Sequence, residues 1–385
     1  MRSLSFISLI FILYSTAIFA VPSRDQLKKD LGLENTIVFS HVVAKDTPKG
    51  KGAEQLKELV KNSKGLDNVP EIQVYPDSVL FDDNKVMQAL ADNKVQLAAP
   101  SISKLLTINS KLKIFDFPFL FLTVDDVSKF YEAAREKLFV SEKVGNSTFW
   151  YLDKDKNYLV LGLWHGGMKQ ITSDKEVIVS IDKLLEGLKF RIQSSPVIEL
   201  TFSSLGAEPK PEDNFAKVLK MLKTKEINGQ ENTWSNIVTG KFYEEQKYFL
   251  ETNHSYLGYL LITNQSFLKK HLENPENGKK WQVIFEQVTR NVNQSTDNAD
   301  ARTSLESILR KRAKAQQSPA QEKSDELIKP FEAKVREEWC EKIYRTRYSD
   351  WKNLVDEVGK EIVQLAIDGK KGDQCPYNHL TKLIK

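Results

Sequence analysis

The stretch "GLKFRIQSSP", Gly187 to Pro196, places one arginine where its chemistry is selective. Leu188, Phe190 and Ile192 alternate with Lys189, Arg191 and Gln193, the period of a half-buried strand. Ser194 or Ser195 offers an N-cap, and Pro196 suits the first turn of a following helix. The Arg191 guanidinium is therefore expected at the carboxyl end of a strand, facing away from its apolar neighbours. Other polar groups share that kind of position: His41 near the end of "TIVFSHVV", Ser101 after "VQLAAP", and Trp164-His165 after "YLVLGL". In open α/β sheets ligands sit outside the carboxyl ends of the strands. Helices opening near Pro48 and Pro196 would add amide donors and positive dipole ends. An arginine fork, hydroxyls and helix N-termini suit an anion, and a carboxylate fits the planar fork best.

Each of these residues also has a plainer reading. Arg191 could be a structural ion pair, Lys169 an exposed lysine, His41 a hydrogen-bonded strand histidine and Trp164 core filling. Catalytic signatures are missing: there is no Gly-x-Ser-x-Gly, no phosphate-binding Gly-x-x-x-x-Gly-Lys-Ser/Thr and no His-Glu-x-x-His. The five histidines, His41, His165, His254, His271 and His379, show no ligand spacing, so no metal site and no cofactor is expected. Carboxylate pairs such as Asp82-Asp83 fall where helix capping explains them.

With 385 residues, 41% of them hydrophobic, the chain can bury two cores. Its 56 basic and 52 acidic residues leave a formal charge of +4, which offers no basic field for nucleic acid. Residues 1–20, "MRSLSFISLIFILYSTAIFA", form a short apolar run behind Arg2 ending in Ala20. That is the pattern of a cleaved secretory signal, so a periplasmic or secreted protein is expected. The two cysteines, Cys340 and Cys375, are either bridged or free thiols. Sequons begin at Asn146, Asn253, Asn264 and Asn293 and matter only in a glycosylating host.

The elements that must position these groups follow an alternating rhythm. "TIVFSHVV", "EIQVYP" and "VQLAAPS" read as strands, separated by helices that open at Thr47-Pro48 and at Asp82 or Asp83. This predicts an open, mostly parallel sheet with helices on both faces. "YLVLGLWH", "KFRIQ" and a helix from Pro196 to Leu205 resume it, with Gly206 as C-cap. Trp281, Ile284, Phe285, Val288 and Val292 begin a long helix, and Trp351 to Leu365 reads as one final amphipathic helix. Arg310 to Glu326 reads as a solvated helix end or insertion.

Nine segments in order resemble one family: "FSHVVAKDTPKGKGAE", "VYPDSVLFDDNKVMQAL", "VQLAAPSISKL", "IFDFPFLF", "WHGGMKQIT", "GLKFRIQSSP", "LGAEPKP", "INGQENTWSNI" and "KFYEEQKYFLETNHSYLGYLLITN". They are similar to the solute-binding proteins of tripartite ATP-independent periplasmic (TRAP) transporters, chiefly the C4-dicarboxylate-binding branch. The resemblance runs from about Val38 to Asn264 and more loosely beyond. It implies a two-lobed Venus-flytrap α/β fold with a long helix crossing both lobes. The expected lobes are 21–165 with 258–297, and 166–257 with 298–385. It implies that Arg191 clamps a substrate carboxylate and that Lys169 supplies a second cationic group. Asn232 and Asn236 match ligand-contacting positions, with His41, Lys45, Ser101, Trp164 and His254 as weaker carry-overs. The implied partners are a small organic acid and a TRAP permease driven by an ion gradient. Gly166 and Asn228 depart from the Asn and Asp of many relatives, which bears on the ligand. A monocarboxylate, an aromatic acid or a sugar acid is the alternative ligand. An enzyme or a surface protein on the same scaffold is the alternative role.

Overall fold

The computed structural model describes residues 36–66, 70–144, 147–175, 185–295, 299–315, 327–368 and 375–385. The expected signal segment, the Asn146 sequon and residues 316–326 of the charged stretch lie outside them.

The first half is β1 (Thr36–Ser40), α1 (Pro48–Lys61), β2 (Glu71–Tyr75), α2 (Val86–Ala91) and β3 (Leu97–Ala98). Thr47 caps α1, its side chain accepting from the Gly50 amide, with Pro48 at the first turn. β1 and β3 are parallel, pairing Phe39 with Leu97 and Ser40 with Ala98. Next come α3 (Val124–Leu138), β4 (Val140–Val144), β5 (Ser147–Tyr151) and β6 (Tyr158–Ser173). β7 (Lys189–Ile192), α4 (Pro196–Ser204), β8 (Glu208–Pro211), α5 (Phe215–Lys223), β9 (Gly229–Asn232), α6 (Trp234–Thr239) and β10 (Tyr248–Asn264) complete the second half. The strand order is β2-β1-β3-β10-β6-β9-β7-β8.

The expectation of a mostly parallel sheet is corrected at its centre. β6 and β10, of 16 and 17 residues, pair antiparallel along nearly their whole length. β10 meets β3 through Ile262 and Thr263, whereas β6 meets β9 through Gln170 to Ser173. The pair therefore serves opposite ends of the sheet. β6 runs on through Gly166-Gly167, past the "YLVLGLWH" read as a strand. Gly167 takes a φ of 109°, and the β6–β10 register shifts between Leu257 and Gly258. At Gly166 a Cβ would lie 2.8 Å from the Leu257 carbonyl, so close backbone approach needs the glycine there.

After β10 run α7 (Pro275–Ser295), α8 (Ala299–Ala315), β11 (Lys329–Pro330), α9 (Ala333–Arg345), α10 (Tyr348–Val358), α11 (Lys360–Ile367) and α12 (Tyr377–Ile384). The expected face of α7, Trp281 to Val292, is buried in the core that holds Leu56, Val60 and Trp164. Leu305 and Leu309 of α8 belong to a different core, with Trp234, Ile237 and Phe249. The expected long helix is described as α7 and α8, which bury side chains in different cores, and residues 296–298 between them lie outside the described set. The final helix is likewise two: α10 and α11 are parted at Gly359, whose φ of 97° no β-carbon tolerates comfortably.

The C-terminal helices pack against segment 110–138. The Tyr344 hydroxyl donates to the Pro118 carbonyl (3.1 Å) and the Tyr377 hydroxyl to that of Leu120 (3.4 Å). Segment 110–138, placed with the first lobe by sequence, therefore packs against the tail placed with the second. Cys340 and Cys375, 35 residues apart, are bridged and tie α12 to α9. Closing a loop of that size stabilises by about 4 kcal/mol on chain-entropy grounds. Chemical unfolding of reduced protein should show a loss of that order. Equal stability of the reduced and oxidised forms would mean that packing alone holds the tail.

Candidate functional site

Arg191 stands on β7 with 2% of its surface exposed. Parallel pairing of Arg191 with Lys210 brings the end of β8 alongside, so the Glu212 carbonyl accepts from both Nε (2.9 Å) and Nη2 (2.7 Å). That fixes the plane of the guanidinium. Its Nη1 is buried and has no hydrogen-bond partner among the described residues. The Nη1–Nη2 edge is left as a fork. Burial depresses the guanidinium's pKa, opposed by Glu231, Glu212 and Asp83.

Around it gather groups from both halves. Lys169 of β6 and Glu231 of β9, both essentially inaccessible, form a 3.0 Å ion pair whose angle does not make a hydrogen bond. His254 lies 3.9 Å from the same Glu231 oxygen and 2.8 Å, through Nδ1, from the Thr252 hydroxyl. Burial, then the Lys169 charge, pushes His254 down to about 3, so it is neutral. Lys104, in a short turn after β3, pairs with Asp213 beyond β8. Burial, then the Arg191 charge, brings Lys104 down to about 7. Lys49, in the first turn of α1, donates to the Ala99 carbonyl (3.0 Å) and stands 3.9 Å from the Tyr259 ring centroid. Burial lowers it to about 8, with Asp83 opposing. Asp83 itself is held above the ordinary carboxyl range by burial, opposed by Lys49 and Lys104.

The remaining expected residues are distributed unevenly. The Gln193 side-chain amide donates to the Ser101 hydroxyl (3.0 Å), linking the ends of β7 and β3. Asn236 donates to the Asn232 side-chain oxygen (2.7 Å), which also accepts from the Thr233 amide (3.0 Å). His41 is buried with no hydrogen bond to either ring nitrogen, and burial followed by the Lys49 charge takes it to about 3. Lys45 is exposed, two residues before the Thr47 cap. Trp164 sits in the core, its indole N–H donating to the Thr289 hydroxyl (3.1 Å) and its ring 6.0 Å from that of Phe39.

Sequence reading missed Lys49, Asp83, Lys104, Gln193 and Glu231. The Asp82-Asp83 pair divides: the Asp82 carboxylate accepts from the amides of Asn84 (3.2 Å) and Lys85 (3.1 Å), whereas Asp83 is buried among the lysines. A capping motif was legible; the second carboxylate's direction was not. Glu231 carried one signal, a charged residue inside the four-residue strand "GQEN" in which every position is buried.

Four cations, Lys49, Lys104, Lys169 and Arg191, thus stand among buried carboxylates, with Arg191 Nη1 and the Gln193 carbonyl oxygen left unpaired. Buried polar atoms are normally satisfied, so such a cluster of orphans makes this the candidate ligand site. Donor forks, amides and neutral imidazoles on an α/β sheet make a candidate site for a small anion. The chain matches the bacterial extracellular solute-binding protein family 7 over residues 39–346 and belongs to that family. It is 41% identical over 235 residues to the C4-dicarboxylate-binding periplasmic protein DctP of Vibrio cholerae, covering 61% of this chain and 66% of that one. The match so spans just under two thirds of that relative's length. A TRAP periplasmic solute-binding protein from Shewanella oneidensis, solved with bound succinate, superposes with a TM-score of 0.73 at 31% identity, covering 87% of this chain and 99% of that one. One from Pseudomonas aeruginosa PAO1, with bound L-malate, gives 0.67 at 32% identity, covering 83% and 99%. The two-lobed α/β class is that of these structures. Among the described residues no helix is long and apolar enough to cross a membrane.

Proposed function

We propose that this protein is the extracytoplasmic receptor of a TRAP-type transporter, capturing a C4-dicarboxylate and handing it to a membrane permease. The observation that carries the reading is Arg191: buried, fixed in plane by the Glu212 carbonyl, with a free donor edge and the Lys104 charge near it. One substrate carboxylate takes the Nη1–Nη2 edge. Lys169, backed by Glu231, and Lys104 supply positive charge for the second. Ser101, Asn232, Asn236, His41 and His254 offer hydrogen bonds around it, Lys45 adds charge at the rim, and Trp164 acts through packing. The succinate and L-malate held by the two solved relatives support this ligand class. The protein works without a cofactor, after removal of residues 1–20, and its lobes close on the ligand about strands β6 and β10.

Thermal unfolding with a panel of acids tests the proposal. A ligand that binds only the folded state at a hundred times its Kd adds about 2.7 kcal/mol. Succinate and L-malate are expected to raise Tm strongly, butyrate and a sugar acid little or not at all. A rise with galactonate but none with succinate would replace the dicarboxylate reading.

A further inference from the structure

We propose that the C-terminal helical tail positions the candidate ligand site from behind: Tyr344 and Tyr377 hold the turn 117–120, whose Phe119 amide aims His254 at Glu231. The inference rests on the dicarboxylate reading of that site and names residues outside it that set its affinity. The Tyr344 hydroxyl of α9 donates to the Pro118 carbonyl (3.1 Å), and the Tyr377 hydroxyl of α12 donates to that of Leu120 (3.4 Å). The bridge between Cys340 and Cys375 ties α9 to α12, and so keeps both tyrosines on one unit. Between the two held carbonyls stands Phe119, buried and with a φ of 59°. A bulky side chain in the left-handed region is strained, and it persists only where its surroundings over-determine it. Here the Phe119 ring stacks on Phe331 (centroids 6.3 Å apart, planes 8° apart), and Phe331 meets Trp339 of α9 edge-on at 4.8 Å. Phe117, at the start of the turn, packs edge-on against Trp351 of α10 at 5.8 Å.

Held in this way, the Phe119 amide donates to the His254 carbonyl at 2.9 Å. That carbonyl takes an outside donor because β10 leaves its regular ladder there. Leu250 faces Ile171 and Ser255 faces Lys169, so Glu251 to His254 bulge out opposite Gln170 alone. Asn253 takes a φ of 46°, its amide donating to the Gln170 side-chain oxygen (3.0 Å) and its own side-chain oxygen accepting from Gln170 Nε2 (2.6 Å). Bulges beside binding sites re-aim a side chain. The side chain re-aimed here is His254. Its ring lies edge-on to Phe202 (5.7 Å), and its Nε2, 3.9 Å from Glu231, has no hydrogen-bond partner among the described residues. Glu231 in turn pairs with Lys169 at 3.0 Å. A site residue keeps its geometry only when the residues behind it are themselves locked. The tail, the turn and the bulge form one continuous chain of contacts that ends on the Lys169–Glu231 pair.

The test compares the full chain with Tyr344→Phe, Tyr377→Phe and the double variant, all of which keep the rings and lose only the hydroxyls. In the double variant succinate affinity should fall about three- to thirtyfold in calorimetric titration, a loss bounded by two ordinary hydrogen bonds. A merely structural role would lower Tm and leave the affinity of the folded protein unchanged. In a His254→Ala background the same double change should weaken binding less than about twofold further, because the side chain it positions is gone. A further readout needs no ligand: in the unliganded double variant the His254 ring-nitrogen resonances should shift, and the Phe119 amide should exchange about tenfold faster. Should the double variant not fold, Tyr377→Phe alone carries the same measurements. Wild-type affinity in the folded double variant, an equal loss with and without His254, or unshifted His254 resonances would overturn the positioning. Wild-type protein that binds neither succinate nor L-malate would overturn the dicarboxylate reading instead, and the His254 resonances would still decide the positioning.

Discussion

Arg191→Ala is expected to lower affinity for succinate by tens- to thousands-fold in calorimetric titration. The side chain is 2% exposed, so the carboxylate it clamps loses its hydration on binding and depends on the fork. Removing one partner of a buried, hydrogen-bonded charge pair costs about 2–5 kcal/mol. Arg191→Lys should recover little. A single ammonium cannot hold the Glu212 carbonyl and also present two parallel donors to the ligand. The variant's unfolding curve separates loss of fold from loss of binding. A folded Arg191→Ala protein with near-wild-type affinity would remove the anion clamp.

Glu231→Ala should destabilise the unliganded protein by about 3–5 kcal/mol in urea unfolding. Glu231 is fully buried, and its carboxylate is the counter-charge of Lys169 at 3.0 Å and a stabilising influence on Arg191. Without it, two cations remain buried with no solvent to screen them. Replacing the pair together, Lys169→Met with Glu231→Leu, should recover much of that loss, because an apolar pair of similar volume has no charge to desolvate. The double variant separates stability from recognition: it should fold, yet bind succinate more weakly if Lys169 faces the second carboxylate. Less than about 1 kcal/mol lost in Glu231→Ala would show that water or local rearrangement solvates Lys169.

The strand–helix unit around Arg191 was legible because its signals are local. Alternation over 188–193 sets the facing, and Pro196 opens α4 as expected, although the Ser195 side chain makes no capping bond. The α7 face from Trp281 to Val292 was legible for the same reason: helical periodicity reports burial wherever a helix packs on one side. What the tertiary structure alone decided is partnership. Lys49, Lys104, Lys169 and Arg191 come from four separate elements, and a buried lysine reads like a solvated one, since periodicity carries no information about the counter-charge across a sheet. The antiparallel union of β6 and β10 is long-range pairing, which the strand signals of neither segment specify, and Gly166 admits its close backbone approach. The bridge between Cys340 and Cys375 depends on how α12 docks on α9, and that follows from packing against Pro118 and Leu120, more than two hundred residues earlier in the chain. Local composition determines which elements form and which face is apolar; which charges meet is set by long-range packing, because each cation's burial is tolerated only with the partner that the fold brings to it.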